Sequence, residues 1–212
     1  MAKEKKPGMN LPNKLTVLRV CMVPIFIVVM MLPASVMHPL VSGLIGVVLF
    51  IAASLTDMLD GKIARKYGLV TDFGKLMDPL ADKFMVIGAL TVIVYRASGN
   101  AQRLFFTLVL LVVIFRELAV TSLRLVASTS SGAVVAANML GKVKTVMQIV
   151  FISTVFIEPA LYAIPVLDKI LPDWWIANPP LSYVTGGLTL IFTVWSGINY
   201  FIGMWKYLDP QK

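Results

Sequence analysis

Asp57 and Asp60 stand three residues apart, and Asp78 and Asp82 stand four apart. Both spacings place the pair on one face of a helix. If the two faces meet across the short connection between them, four carboxylates converge, and like charges at that range repel strongly unless something positive sits among them. A hard divalent cation is the natural occupant. Oxygen-only ligands favour magnesium, manganese or calcium over zinc, and four carboxylates suit a pair of ions.

A purely structural reading competes with this one. Asp78 before Pro79 has the pattern of an N-cap followed by proline at the first helical position, and any one aspartate alone is accounted for as a cap. All four, with Gly61, Ala64, Arg65 and Gly74 interleaved, are harder to explain that way. Clustered acids in or beside membrane spans default to function.

The elements that must position them are set by composition. Of 212 residues, 58% are hydrophobic and 14% charged, which is too apolar for a water-soluble domain. Crossing about 30 Å of hydrocarbon takes roughly 20 apolar residues as a helix. Six such runs occur: Leu15–Leu32, Pro39–Asp60, Gly74–Tyr95, Leu104–Leu125, Gly141–Val166 and Leu181–Trp205. The fold class is an all-α membrane protein of six transmembrane helices. Residues 1–14 form a juxtamembrane segment, 15–207 the six-span domain and 208–212 a tail. The first run follows basic residues as in a signal peptide, but its length and lack of a small-residue cleavage site mark it as a retained span.

With the N-terminus inside, every lysine and arginine except Arg96, Arg103 and Lys169 lies in or toward cytoplasmic segments, so both termini are cytoplasmic. The net charge of +8 follows from that bias and from attraction to anionic lipid, not from nucleic acid. Seventeen residues from Leu40 to Asp57, at about 1.5 Å each, put Asp57 roughly 26 Å along its helix. The active site therefore belongs at the cytoplasmic membrane surface. Cys21 is the only cysteine and offers neither a disulfide nor a thiolate metal site. His38 falls in an outer loop, a membrane thickness from the aspartates.

The run Asp57-x2-Asp60-Gly61-x2-Ala64-Arg65-x8-Gly74-x3-Asp78-x3-Asp82 resembles, without a departure, the signature of the CDP-alcohol phosphotransferases. The resemblance implies an enzyme of phospholipid biosynthesis in a bacterial inner membrane, acting as a homodimer. It implies that Asp57, Asp60, Asp78 and Asp82 hold two ions, Mg2+ or Mn2+, with Asp82 also the general base. It further implies that Gly61, Arg65, Thr71 and Gly74 meet the CDP group of CDP-diacylglycerol, joined by Asn13 and Thr16 at the diphosphate. The chemistry is compatible: Gly61 lets a nucleotide approach the backbone, and Arg65 can fork onto a phosphate, although Arg65 also reads as a topology anchor. Thr16 could equally satisfy its own helix backbone.

Arg116, Arg124, Lys142 and Lys144 are cations on the same side as the aspartates and suggest an acceptor that carries phosphate; they also read as topology determinants. The segments Asn10–Arg19, Phe115–Arg124 and Gly141–Thr145 resemble the branch of the family whose acceptor is glycerol 3-phosphate. Phosphatidylglycerol, glycerol, serine or inositol phosphate are the alternative acceptors. A divalent-cation transporter is the rival from another class, but its site would lie near the midplane between repeats, and no repeat is evident. Trp174, Trp175, Tyr183, Trp205 and Tyr207 read as interfacial belt residues, and Gly186, Gly187 and Gly197 as close-packing positions, including between subunits.

Overall fold

The computed structural model describes residues 10–67, 71–131, 139–162 and 164–205. These form eight helices and no strand: α1 (Leu11–Met31), α2 (Pro39–Lys66), α3 (Asp72–Arg96), α4 (Asn100–Ser131), α5 (Met139–Tyr162), α6 (Pro165–Ile170), α7 (Asp173–Ala177) and α8 (Pro180–Met204). Five helical stretches are long and apolar enough to cross a membrane, drawn from α1, α2, α4, α5 and the chain through α7 and α8. At 25 residues α3 is also long enough, but Asp78, Asp82 and Lys83 charge its first half. The protein is therefore an all-helical, multi-pass membrane protein over the residues described.

The helices close on one another in a ring. Helix α1 packs on α2 and α3, α2 on α5, α5 on α8, α8 on α4, and α4 on α3, which also reaches across to α2 and α5. In lipid such association rests on van der Waals packing more than on removing apolar surface from water. The interior supplies it with Phe26, Met30, Phe50, Phe106, Phe151 and Phe156, all buried. Small residues set the closest approach. A Cβ on Gly43 would stand 2.5 Å from Phe156 O and 2.6 Å from Ala160 Cβ, so α2 meets α5 through a bare backbone. Gly186 likewise packs within the chain, against the Phe105 ring, and not between subunits; Gly187 faces open space.

Three boundaries differ from the sequence-based expectation. Asp78 does not cap a helix: α3 begins earlier, at Asp72, where the Thr71 hydroxyl accepts from Gly74 N at 3.1 Å, and Pro79 sits inside the helix. The fourth helix, expected to end at Leu125, runs on to Ser131. The fifth span stops at Tyr162, because Pro165 opens α6 as a separate helix.

Helix α8 has no side-chain cap of its own. Glu158, buried in α5, supplies one from outside. Its carboxylate accepts from Leu181 N at 3.0 Å, Ser182 N at 2.7 Å and Ser182 Oγ at 2.6 Å, and Tyr162 OH donates to it at 2.7 Å. Free N–H groups at a helix start need such partners, and they favour negative charge.

Candidate active site

The first turns of α1 and α3 are joined by side chains. The Thr16 hydroxyl donates to Asp78 Oδ1, and the Thr71 hydroxyl donates to Asn13 Oδ1 at 2.9 Å. Asn13 is itself fixed, since its backbone N–H donates to Asn10 Oδ1 at 3.1 Å in the α1 cap. Gly74 lies among these groups: a Cβ there would stand 3.2 Å from Asn13 Oδ1, 3.4 Å from Thr71 Oγ1 and 3.6 Å from Asp78 Oδ2. Five residues singled out from the sequence, Asn13, Thr16, Thr71, Gly74 and Asp78, thus form one constellation. Thr16 bonds to the aspartate and so does more than back-bond its own helix.

One turn further along α3, Asp82 faces a second constellation. Lys144 of α5 donates from Nζ to Glu117 Oε1 of α4, and Arg116 Nη1 lies 3.2 Å from the same oxygen. Arg116 is held from its other side, with Nη2 donating to Ser196 Oγ at 2.8 Å. Asp82 lies within electrostatic reach of Lys144, Glu117, Arg19 and Lys83. Lys144 and Arg19 are buried, whereas Asp82 is exposed, so solvent screens part of their pull on it. Lys144, Arg19 and Lys83 against Glu117 alone leave a surplus positive charge around Asp82.

The other proposed acceptor cations are placed differently. Arg124 turns to α8, where Nε donates to Tyr200 OH at 2.6 Å and the guanidinium lies 5.1 Å from that ring's centroid. Lys142 is exposed, two residues and therefore about half a turn from Lys144. Asp57, Asp60, Gly61 and Arg65 lie on helical backbone in α2, which packs on α3; their side chains lie outside the described residues.

A model of the CDP-alcohol phosphatidyltransferase family matches residues 9–195. The chain belongs to the CDP-alcohol phosphatidyltransferase family. Among similar proteins, the CDP-diacylglycerol–glycerol-3-phosphate 3-phosphatidyltransferase of Bacillus subtilis (strain 168) is 41% identical over 96% of this chain and 99% of its own length. Proteins of the same name from Pseudomonas fluorescens and Rickettsia felis are 33% and 32% identical, over 96% and 93% of this chain and 94% and 97% of their own. The family's matched residues include all four motif aspartates, Glu117 and Lys144, while Ser196 and Tyr200 follow just beyond.

Four contributors went unassigned in the sequence reading. Arg19 and Glu117 each carry charge inside an apolar run, which is a usable signal. Ser196 and Tyr200 belong to a buried stripe on α8 that runs Ser182, Gly186, Thr189, Thr193, Ser196, Tyr200. Small and polar residues at three- and four-residue steps in an apolar span mark such a face.

The described part of the metal set fits an oxygen-bound cation. Asp78 keeps Oδ2 free of the Thr16 bond, Asp82 is exposed one turn away, and the missing side chain at Gly74 leaves space beside Asp78. No group of three or more metal-binding side chains occurs among the described residues, which exclude the carboxylates of Asp57 and Asp60.

Proposed function

We propose that this enzyme transfers a phosphatidyl group from CDP-diacylglycerol to glycerol 3-phosphate, giving phosphatidylglycerophosphate and CMP. The observation that carries the reading is the Lys144–Glu117–Arg116 cluster: cationic groups for an acceptor phosphate, with Lys144 within electrostatic reach of Asp82, the candidate base. The names of the similar bacterial proteins support the same substrates.

In this account Thr16, Asn13, Thr71 and Gly74 hold the donor's diphosphate at the α1–α3 junction, with Gly61 and Arg65 toward the nucleotide. Lys144 and Arg116 orient the phosphate of the acceptor. Asp82 takes the proton from the acceptor hydroxyl as its oxygen attacks the phosphorus bearing diacylglycerol, and the bond from that phosphorus to the CMP oxygen breaks in line. Asp57, Asp60, Asp78 and Asp82 would hold one or two Mg2+ or Mn2+ ions, whose chemistry is to neutralise the diphosphate and the departing CMP. Glu117 holds Lys144 in position through their ion pair. Arg124 and Lys142 form an outer approach to the cluster.

The same reading includes α3 as a sixth span, both termini in the cytoplasm, the site at the inner surface of a bacterial inner membrane, and a homodimer. Kinetics with each substrate varied in turn test the acceptor assignment. Losing one charge-assisted phosphate contact costs about 1.5–3 kcal/mol, so Lys144→Ala should raise the acceptor KM roughly ten- to a hundredfold and leave the donor KM nearly unchanged. Equal rises in both constants would reject the assignment.

A further inference from the structure

Outside the ring, between α4 and α8, runs a groove of about 810 Å³, a volume typical of pockets that take organic ligands. It spans Leu111 to Val126 on α4, the half of that helix that carries Arg116 and Glu117, so it lies at the depth of the candidate site. Ala119, Ser122, Gly197 and Ile198 are among its lining residues, the small ones making room. The wall is apolar apart from Ser122 and two residues with unsatisfied groups. Arg116 Nε and Thr193 Oγ1 are buried and have no hydrogen-bond partner.

Thr193 is an exception in its own helix. Thr185 and Thr189 return their hydroxyls to the carbonyls of Leu181 and Thr185, at 2.7 and 2.9 Å, whereas Thr193 does not back-bond. Arg116 uses Nη1 and Nη2 on Glu117 and Ser196 and leaves Nε. An arginine N–H can only donate, so the complementary atom is an acceptor oxygen.

We propose that this groove binds an acyl chain of a phospholipid from the same leaflet as the site, with an ester carbonyl oxygen accepting from Arg116 Nε and Thr193 Oγ1. An apolar tail ending in a free acceptor oxygen matches both parts of the wall. A second copy of the chain is the competing occupant, and the particle mass distinguishes it from a lipid. It places a lipid against the outer side of the arginine whose inner side faces Glu117.

Photolabelling tests this directly. The protein in lipid nanodiscs is given phosphatidylcholine with a diazirine on one acyl chain, and labelled peptides are mapped by mass spectrometry. Labelling around Ala119, Ser122 and Ile198 should exceed that at the exposed Val28 of α1 and Val48 of α2. Ala119→Trp and Ser122→Phe, each checked for retained CMP release, should abolish the excess by filling the groove. Thr193→Val should lower it about two- to tenfold, the share of one neutral hydrogen bond, with Val28 unchanged. Even labelling of all exposed faces, or an excess that survives the filling variants, would overturn the proposal. So would an unlabelled groove whose filling variants change the particle mass from two chains to one, which would assign the groove to a second copy.

Discussion

Lys144 on α5 and Glu117 on α4 form a partly buried ion pair whose lysine lies within electrostatic reach of Asp82. Removing one member of such a pair leaves the other charge uncompensated, at a cost of up to about 3–5 kcal/mol. Glu117→Gln should therefore lower the melting temperature and cut transfer together. The double variant Glu117→Gln with Lys144→Met, which removes both charges, should recover much of the stability but little of the activity. Thermal melts and CMP-release assays on the three proteins separate the two effects.

Gly74→Ala probes the donor end. The new methyl group would press on Asn13 Oδ1 and Thr71 Oγ1, and relieving such overpacking costs about 1–3 kcal/mol. The donor KM should rise at least about fivefold, with the acceptor KM little changed. A variant with parent kinetics for both substrates would remove Gly74 from the donor site.

Much of this constellation was legible from sequence because it is local. Asp78, Asp82 and Gly74 share one helix, and their spacing fixes which of them share a face. Thr71 and Asn13 sit at helix starts, Thr71 as the α3 cap and Asn13 in the first turn of α1. What was hidden depends on pairings between distant helices. Arg116 and Arg124 share a side of α4, yet one joins Glu117 and Ser196 and the other joins Tyr200, and only the packing of α4 on α8 decides this. Pro79 lent Asp78 a rival reading as a helix cap, but Thr71 had already begun that helix. Glu158 could be noticed as a charge in an apolar run, but its partners on α8 are more than twenty residues away.

Glu158 carries a stability prediction separate from catalysis. Glu158→Ala strips the start of α8 of its acceptor and should destabilise the protein by about 2 kcal/mol or more. The kinetic constants of the folded fraction should stay at parent values, because the residue lies at the end of α5 away from Lys144. Thermal melts in detergent, with active-fraction titration, check both halves of the statement.

Metal removal tests the carboxylate set. A chelator should stop CMP release, and either magnesium or manganese should restore it, since four carboxylates have no cheaper way to converge than around hard cations. Full turnover in metal-free buffer would end that part of the account. Asp82→Asn should abolish transfer at saturating metal while retaining binding of CDP-diacylglycerol, as expected for a group acting on the acceptor.

The central claim is the identity of the acceptor, and the mass of the lipid product tests it most directly. Purified protein is incubated with CDP-diacylglycerol, the divalent cation and an equimolar mixture of glycerol 3-phosphate, glycerol, serine and inositol phosphate, and the lipids are extracted. The account predicts phosphatidylglycerophosphate as the dominant product, formed one for one with CMP. A dominant product carrying any of the other three alcohols would contradict it.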